Sequence, residues 1–200
     1  MQLRIESEHL NGIVVVVPEV FEDERGFFME IYRADQFKDL GLPYQFVQDN
    51  HSRTTRGVVR GLHFQWEPPM GKLMRVTVGN TFLVAVDIRK GSPTLGHWFG
   101  IEVSAENKRQ VWAPPGFARG FCVISDVAEV QYKCTGTYNS KAESGILWND
   151  PAIGIDWPVK NPILSAKDAK SQTLQQWLQS PLSGQFQYSA EPVLEQAAVR

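Results

Sequence analysis

The 200-residue chain has only two cysteines, Cys122 and Cys134, too few for a disulfide scaffold or a cysteine-rich metal site. Its formal charge of −2 shows no excess of either sign, so the basic field of a nucleic-acid binder is missing. Long apolar runs are missing too. None is longer than that of residues 13–17, which is far too short to span a bilayer. The opening stretch MQLRIESEHL mixes charges from the start and holds no apolar signal region. These absences set the expectation of a cytoplasmic protein with neither a nucleic-acid nor a membrane partner.

What is present is the balance of an ordinary globular protein, 42% apolar and 21% charged. The length fits one domain with a substantial core, or one domain plus a tail. Short apolar stretches recur with turn signals between them, which reads as all-β. Strands are expected over 13–18, 26–32, 44–49, 57–64, 71–78, 82–86, 97–103, 108–113, 120–124, 129–137 and 145–148. Gly79-Asn80 reads as a two-residue hairpin turn. Helical character is confined to short stretches near 34–40 and 166–178, the second with Leu174, Trp177 and Leu178 on one face. So many short strands suggest a sandwich or barrel, with the jelly roll the commonest closed form. The domain is expected over 1–180, with 181–200 a tail that packs on the body or on a partner.

Histidine is scarce enough to weigh one by one: His9, His51, His63 and His97. His9 near the terminus and His97 beside Trp98 read as structural. His51 follows the polar Gln48-Asp49-Asn50 and could lie near a site. His63 stands apart. In Arg60-Gly61-Leu62-His63-Phe64-Gln65, strand alternation puts Gly61, His63 and Gln65 on one face and Arg60, Leu62 and Phe64 on the other. Gly61 would leave ligand space beside the imidazole. From this pattern alone a functional His63 and a structural one remain equally open.

A metal site fails on counting. Metal-binding double-stranded β-helices carry two histidines two residues apart, then a carboxylate, then a distant histidine. Here the first segment offers one histidine, and Pro115-Gly116-Phe117-Ala118-Arg119 has arginine where a distant one would be sought. Arginine stays protonated and is a poor ligand. A second signal is the set of Arg25, Glu30, Arg60, Lys72, Arg75, Tyr132, Lys133 and Tyr138. Each alone reads as part of a solvated face. Together they supply guanidinium groups for a diphosphate and a ring for a base to stack on.

These segments resemble the dTDP-4-dehydrorhamnose 3,5-epimerase family from Leu10 to Asp168. The likeness runs through Asp23-Glu24-Arg25-Gly26-Phe27-Phe28-Met29-Glu30, Phe46-Val47-Gln48-Asp49-Asn50-His51-Ser52, Arg60 to Gln65, and Gly71-Lys72-Leu73. It continues in Val86-Asp87-Ile88-Arg89 with Ser92-Pro93-Thr94, in Ser104 to Lys108, in Tyr132-Lys133 and in Tyr138. It closes with Gly145 to Pro151 and Leu164 to Asp168. So many ordered segments are far more specific than a lone motif.

The resemblance implies a cupin-like jelly roll, a homodimer, and no metal or organic cofactor. It implies inversion at carbons 3 and 5 of dTDP-4-keto-6-deoxy-D-glucose, giving the 4-keto-L-rhamnose nucleotide. His63 matches the proton acceptor, Asp168 its carboxylate partner, Lys72 the lysine near the keto oxygen and Tyr132 the opposite-face proton donor. Tyr138 matches the ring that stacks on thymine. Arg25, Glu30, Gln48, Asn50, Arg60, Glu143 and Lys167 match ligand-contacting positions. One position departs: Arg119 stands where the family commonly has a ligand-contacting histidine. The expectation is that Arg119 keeps a cationic contact with the diphosphate or sugar. Alternatives that stay open are a single-carbon epimerase or ketoisomerase on a related nucleotide sugar, a non-catalytic sugar-binding jelly roll and, with its ligands missing, a metal-dependent oxygenase.

Overall fold

The computed structural model describes residues 2–190, so the last ten residues of the expected tail lie outside the described residues. Thirteen strands are formed within that span. Those of the two large sheets are β1 (Leu3–His9), β2 (Ile13–Pro18), β5 (Gln48–Thr55), β6 (Val59–Gln65), β7 (Lys72–Val78), β8 (Asn80–Asp87), β9 (Trp98–Ser104), β10 (Gln110–Ala113), β11 (Phe117–Val123), β12 (Val127–Cys134) and β13 (Glu143–Gly145). One sheet runs β1-β2-β10-β7-β12-β5 and the other β13-β6-β11-β8-β9. All named pairs are antiparallel, and the two sheets face each other as a jelly roll. A separate hairpin pairs β3 (Val20–Asp23) with β4 (Gly26–Met29).

Burial follows strand position. The β-branched β2 is buried along nearly its whole length because β1 and β10 flank it. β1 alternates buried or half-buried with exposed residues, as an edge strand with one wet face should. Its charges hid it from an apolar-run search, although Leu3 and Ile5 keep the period of two. Between the sheets lie Met74, Val76, Leu83, Phe117, Phe121 and Val130. A second layer, with Leu62, Phe64, Val84 and Val86, covers the outer face of the β6 sheet and is closed by Trp157, Trp177 and Phe186. A third packs Phe37 of α1 (Ala34–Asp39) against Leu73 and Trp112. Burying each such large side chain contributes about 1.5–3 kcal/mol. Phe186, beyond the expected domain limit, is only 4% exposed, and Lys90 N–H donates to its carbonyl at 2.8 Å.

Three expectations need correction. The Gly79-Asn80 pair is not a hairpin turn, because β7 and β8 belong to different sheets. The chain crosses between sheets there, and Gly79 at φ +74 is required because a Cβ would sit 2.0 Å from the Val127 carbonyl oxygen. The helix expected over 166–178 splits into a 3-10 turn, Asp168–Lys170, and α2 (Leu174–Gln179). Ser171 and Thr173 are extended between them, and Thr173 closes a capping box with Gln176, the role such hydroxyl residues favour over helix interiors. The strand expected at 145–148 contracts to β13 and an isolated bridge between Ile146 and Gln172.

Candidate functional site

A cavity of about 380 Å³ opens at one end of the interior, lined by Gln48, Asn50, His51, His63, Phe64, Gln65, Met70, Lys72, Tyr132, Tyr138 and Glu143. β6 brings His63 and Gln65 from one sheet, while β5, β7 and β12 bring Asn50, Lys72 and Tyr132 from the other. The two sheets therefore present different chemistry from opposite walls.

On the β6 wall, His63 Nε2 lies 2.6 Å from Asp168 Oδ1 across 105 residues of sequence. The imidazole is half-buried and Asp168 is 3% exposed. Burial pushes the Asp168 carboxyl up, but the His63 hydrogen bond and charge, helped by Ser165 and the Gly61 N–H, hold it below the usual range. With Nε2 given to the carboxylate, Nδ1 is the ring nitrogen left for the cavity, a tautomer fixed by its partner.

On the other wall, Lys72 Nζ sits 4.7 Å from the Tyr132 ring centroid. Burial first, then repulsion by Arg119, lowers the ammonium to about 8 despite Cys134 and Glu143. Burial and Cys134 raise the Tyr132 phenol, outweighing an Asn50 hydrogen bond and the charges of Arg60 and Arg119. Asn50 also accepts from Gln48 at 3.1 Å and donates to Cys134 Sγ at 3.8 Å.

At the mouth, Tyr138 is 58% exposed; its hydroxyl donates to Glu143 at 2.6 Å and Lys167 pairs with the same carboxylate. Gln65 holds the loop behind this rim by donating to Pro68 and Thr137 carbonyls and accepting from the Asn139 N–H, each within 3.0 Å. Gln65 and Cys134 were not singled out by role in the sequence. Gln65's position two residues from His63 on the same face was the available signal.

Three expected ligand contacts, Arg119, Arg25 and Glu30, are placed away from the cavity, and the strand-pattern readings of Arg60 and Gly61 need correction. Strict alternation assigned Arg60 to the face of Leu62 and Phe64, yet it pairs with Phe121, an interior residue, and its Nε donates to Thr54 on the opposite sheet. The ladder slips between Arg119 and Phe121, so three steps on β6 oppose two on β11, and the bulge turns Arg60 inward. Gly61 leaves no ligand space, because a Cβ there would meet the Arg119 carbonyl oxygen and Gly120 Cα at 2.6 Å. Arg119 itself is 4% exposed and donates to backbone carbonyls, so it does not line the cavity. Arg25 lies in the turn of the exposed β3–β4 hairpin, ion-paired with Asp23, and Glu30 follows it beside Arg33. Among the described residues, no group of three or more histidines, cysteines or carboxylates is placed to hold a metal ion, and no helix is long and apolar enough to cross a membrane.

Residues 7–176 match the family described as dTDP-4-dehydrorhamnose 3,5-epimerase. The chain is 56% identical over 172 residues to the Shigella flexneri dTDP-4-dehydrorhamnose 3,5-epimerase, covering 85% of this chain and 95% of that protein. It is 39% identical over 168 residues to a dTDP-4-dehydrorhamnose 3-epimerase of Streptomyces niveus, covering 83% and 81%. Its fold matches the Legionella pneumophila dTDP-6-deoxy-D-glucose-3,5-epimerase in complex with dTDP-4-keto-L-rhamnose, with a TM-score of 0.89 and 43% identity over 94% of this chain and 100% of that one.

Proposed function

The chain belongs to the dTDP-4-dehydrorhamnose 3,5-epimerase family, and on that premise we propose how its cavity inverts carbons 3 and 5 of dTDP-4-keto-6-deoxy-D-glucose. The product is dTDP-4-keto-L-rhamnose, within dTDP-L-rhamnose biosynthesis. The observation that carries the mechanism is a histidine on one sheet, paired with an aspartate from the 3-10 turn behind it, facing a lysine and a tyrosine on the other sheet across one cavity.

A hydrogen on a carbon beside a ketone leaves as a proton only if the electron pair it leaves behind is stabilised on the keto oxygen. His63 Nδ1 takes that proton, and Asp168 stabilises the imidazolium formed. The electron pair moves onto oxygen 4, where the Lys72 ammonium meets the developing charge. Tyr132 then donates its phenolic proton to the same carbon from the opposite side, inverting it. Phenolate and imidazolium are reset by proton exchange with solvent before the second carbon reacts. Raising the Tyr132 phenol suits an acid that must stay protonated until a basic enolate arrives. Tyr138, exposed at the rim, offers its ring to thymine. Gln48, Asn50, Arg60, Glu143 and Lys167 surround the sugar and diphosphate.

The working form is a homodimer. Phe21, Phe27 and Phe28 are 47%, 55% and 62% exposed on the β3–β4 hairpin that carries Arg25, more apolar surface than a small hairpin normally shows to water. A second copy covering this hairpin would bring Arg25 and Glu30 toward the neighbouring cavity, which explains why neither lines its own. Two free buried thiols suit the reducing cytoplasm.

The test is proton NMR of dTDP-4-keto-6-deoxy-D-glucose in D2O with the wild type and with His63→Ala. Deuterium entering at carbons 3 and 5, and none with the variant, is the expected result. Exchange at one carbon only would favour the single-carbon chemistry of the Streptomyces niveus relative's name. Exchange that survives in His63→Ala would remove His63 as the base.

A further inference from the structure

Resting on that reading of the reaction, we propose that Arg119 is a positioning residue for Lys72: it clamps the backbone on both sides of the lysine from behind the cavity and does not touch the substrate. Arg119 sits on the central strand β11, directly opposite His63 on β6 and Ala85 on β8. Its side chain crosses the interior to the other sheet. Nη1 and Nη2 donate to the Met70 carbonyl at 3.0 and 2.7 Å, and Nη1 also reaches the Ala113 carbonyl at 3.4 Å.

Both acceptors flank Lys72. Met70 lies two residues before it, and Ala113 is its cross-strand partner on β10. A two-pronged guanidinium fixes direction as well as distance, which a single ammonium donor cannot do. The segment is tied further at Gly71, whose N–H donates to Thr135 Oγ1 at 2.9 Å and whose carbonyl accepts from the Thr135 N–H at 3.1 Å, and at Met70, whose N–H donates to the Gln65 carbonyl at 3.2 Å.

The charge at Arg119 is also left open. Among the described residues no carboxylate is within ion-pair reach of it, and its Nε is buried without a hydrogen-bond partner. A buried polar donor left unpaired is costly, so a purely structural plug would be better served by an apolar side chain. What lies nearby is Lys72, whose ammonium makes no hydrogen bond among the described residues and is repelled by Arg119. The groups that face Lys72 are Arg119 from β11, Tyr132 and Cys134 from β12, Glu143 from β13, Lys167 before the 3-10 turn, and His63 across the cavity. Arg119 thus does two things at once: it holds the ammonium at the oxygen's position and keeps it poised to lose or share a proton.

The experiment measures kcat, KM, dTDP affinity and the pH profile of the full chain for wild type, Arg119→Met and Arg119→Lys. In Arg119→Met, kcat is expected to fall about tenfold or more, with KM and dTDP affinity held within about twofold. The alkaline limb, near pH 8 from Lys72, should move upward because the repelling charge is gone. Arg119→Lys keeps the charge, so its limb should stay in place while kcat falls through loss of the two-pronged clamp. A raised KM or weakened dTDP affinity with kcat and limb unchanged would make Arg119 a substrate contact and overturn the proposal. Unchanged kinetics in both variants would overturn it as well. If Arg119→Met does not fold, the Arg119→Lys pair of readings decides: a lower kcat supports the clamp, an unchanged kcat rejects it. A wild type that fails to turn over the keto sugar would instead sink the epimerase reading, whatever the variants do.

Discussion

Arg89 and Arg119 are both buried arginines, 6% and 4% exposed, one packed on the Phe117 ring and the other two residues along the same strand, yet their surroundings are opposites. Arg89 is closed on every side. Its Nε and Nη2 meet the two oxygens of Asp87 at 2.9 and 2.8 Å, and Nη1 and Nη2 reach the carbonyls of Asn11 and Leu10. Asp87 accepts further bonds from Ser92 and Thr94, and the Arg89 guanidinium lies 4.4 Å from the Phe117 ring centroid. Among the described residues Arg119 has no carboxylate partner, and its Nε is idle. A charge that is fully matched locks loops together. A charge left unmatched exports its field to whatever lies beside it, here the lysine of the cavity.

The contrast can be broken from either end. The largest effect is expected at the closed cluster. Asp87→Ala leaves Arg89 buried without its partner and should lower unfolding stability by about 3–5 kcal/mol, read by thermal or urea denaturation. The folded fraction should keep its turnover. Next comes the open cluster. Lys72→Met removes the charge proposed to meet the enolate oxygen, and kcat should fall by about 10²–10³ in steady-state assays. Stability should hold or rise, because a desolvated ammonium has been replaced by an apolar chain.

The smallest effect is a titration that sharpens the same contrast. Burial raises the Asp87 carboxyl, but Arg89, Ser92 and Thr94 outweigh it and leave it below its ordinary value; Asp168 is lowered in the same manner by His63. A carboxyl lowered by folding adds stability above the unfolded value of about 4 and loses it as pH falls through the folded value. Melting temperature should therefore drop steadily below about pH 4, and the slope should flatten in Asp87→Ala. An unchanged slope in that variant would place the acid-sensitive group elsewhere.

The sequence made the walls of the cavity legible and its depth illegible. His63, Lys72, Tyr132, Gln48, Asn50 and Tyr138 could be named because the family's motifs point to them, with strand alternation adding a signal at His63, and all line one cavity. The pairing of His63 with Asp168 spans 105 residues and depends on a 3-10 turn that periodicity read as helix. Arg60 was placed on the wrong face because alternation counts residues, and a bulge inserts one without any apolar signal. Gly79-Asn80 carries the same turn chemistry whether the chain folds back on itself or changes sheets. Arg119 was expected at the ligand because the family resemblance places a ligand-contacting histidine at that position; its acceptors are backbone carbonyls, which no side-chain pattern records.

In the proposed mechanism, base and acid stand on opposite sheets and reach the same carbon from opposite sides. The most direct measurement is Tyr132→Phe with dTDP-4-keto-6-deoxy-D-glucose in D2O, following deuterium uptake and configuration at carbons 3 and 5 together by NMR. Exchange is expected to continue, because His63 still removes the proton, while inversion is lost or strongly slowed for want of the opposite-face donor. Inversion at the wild-type rate in Tyr132→Phe would contradict that mechanism.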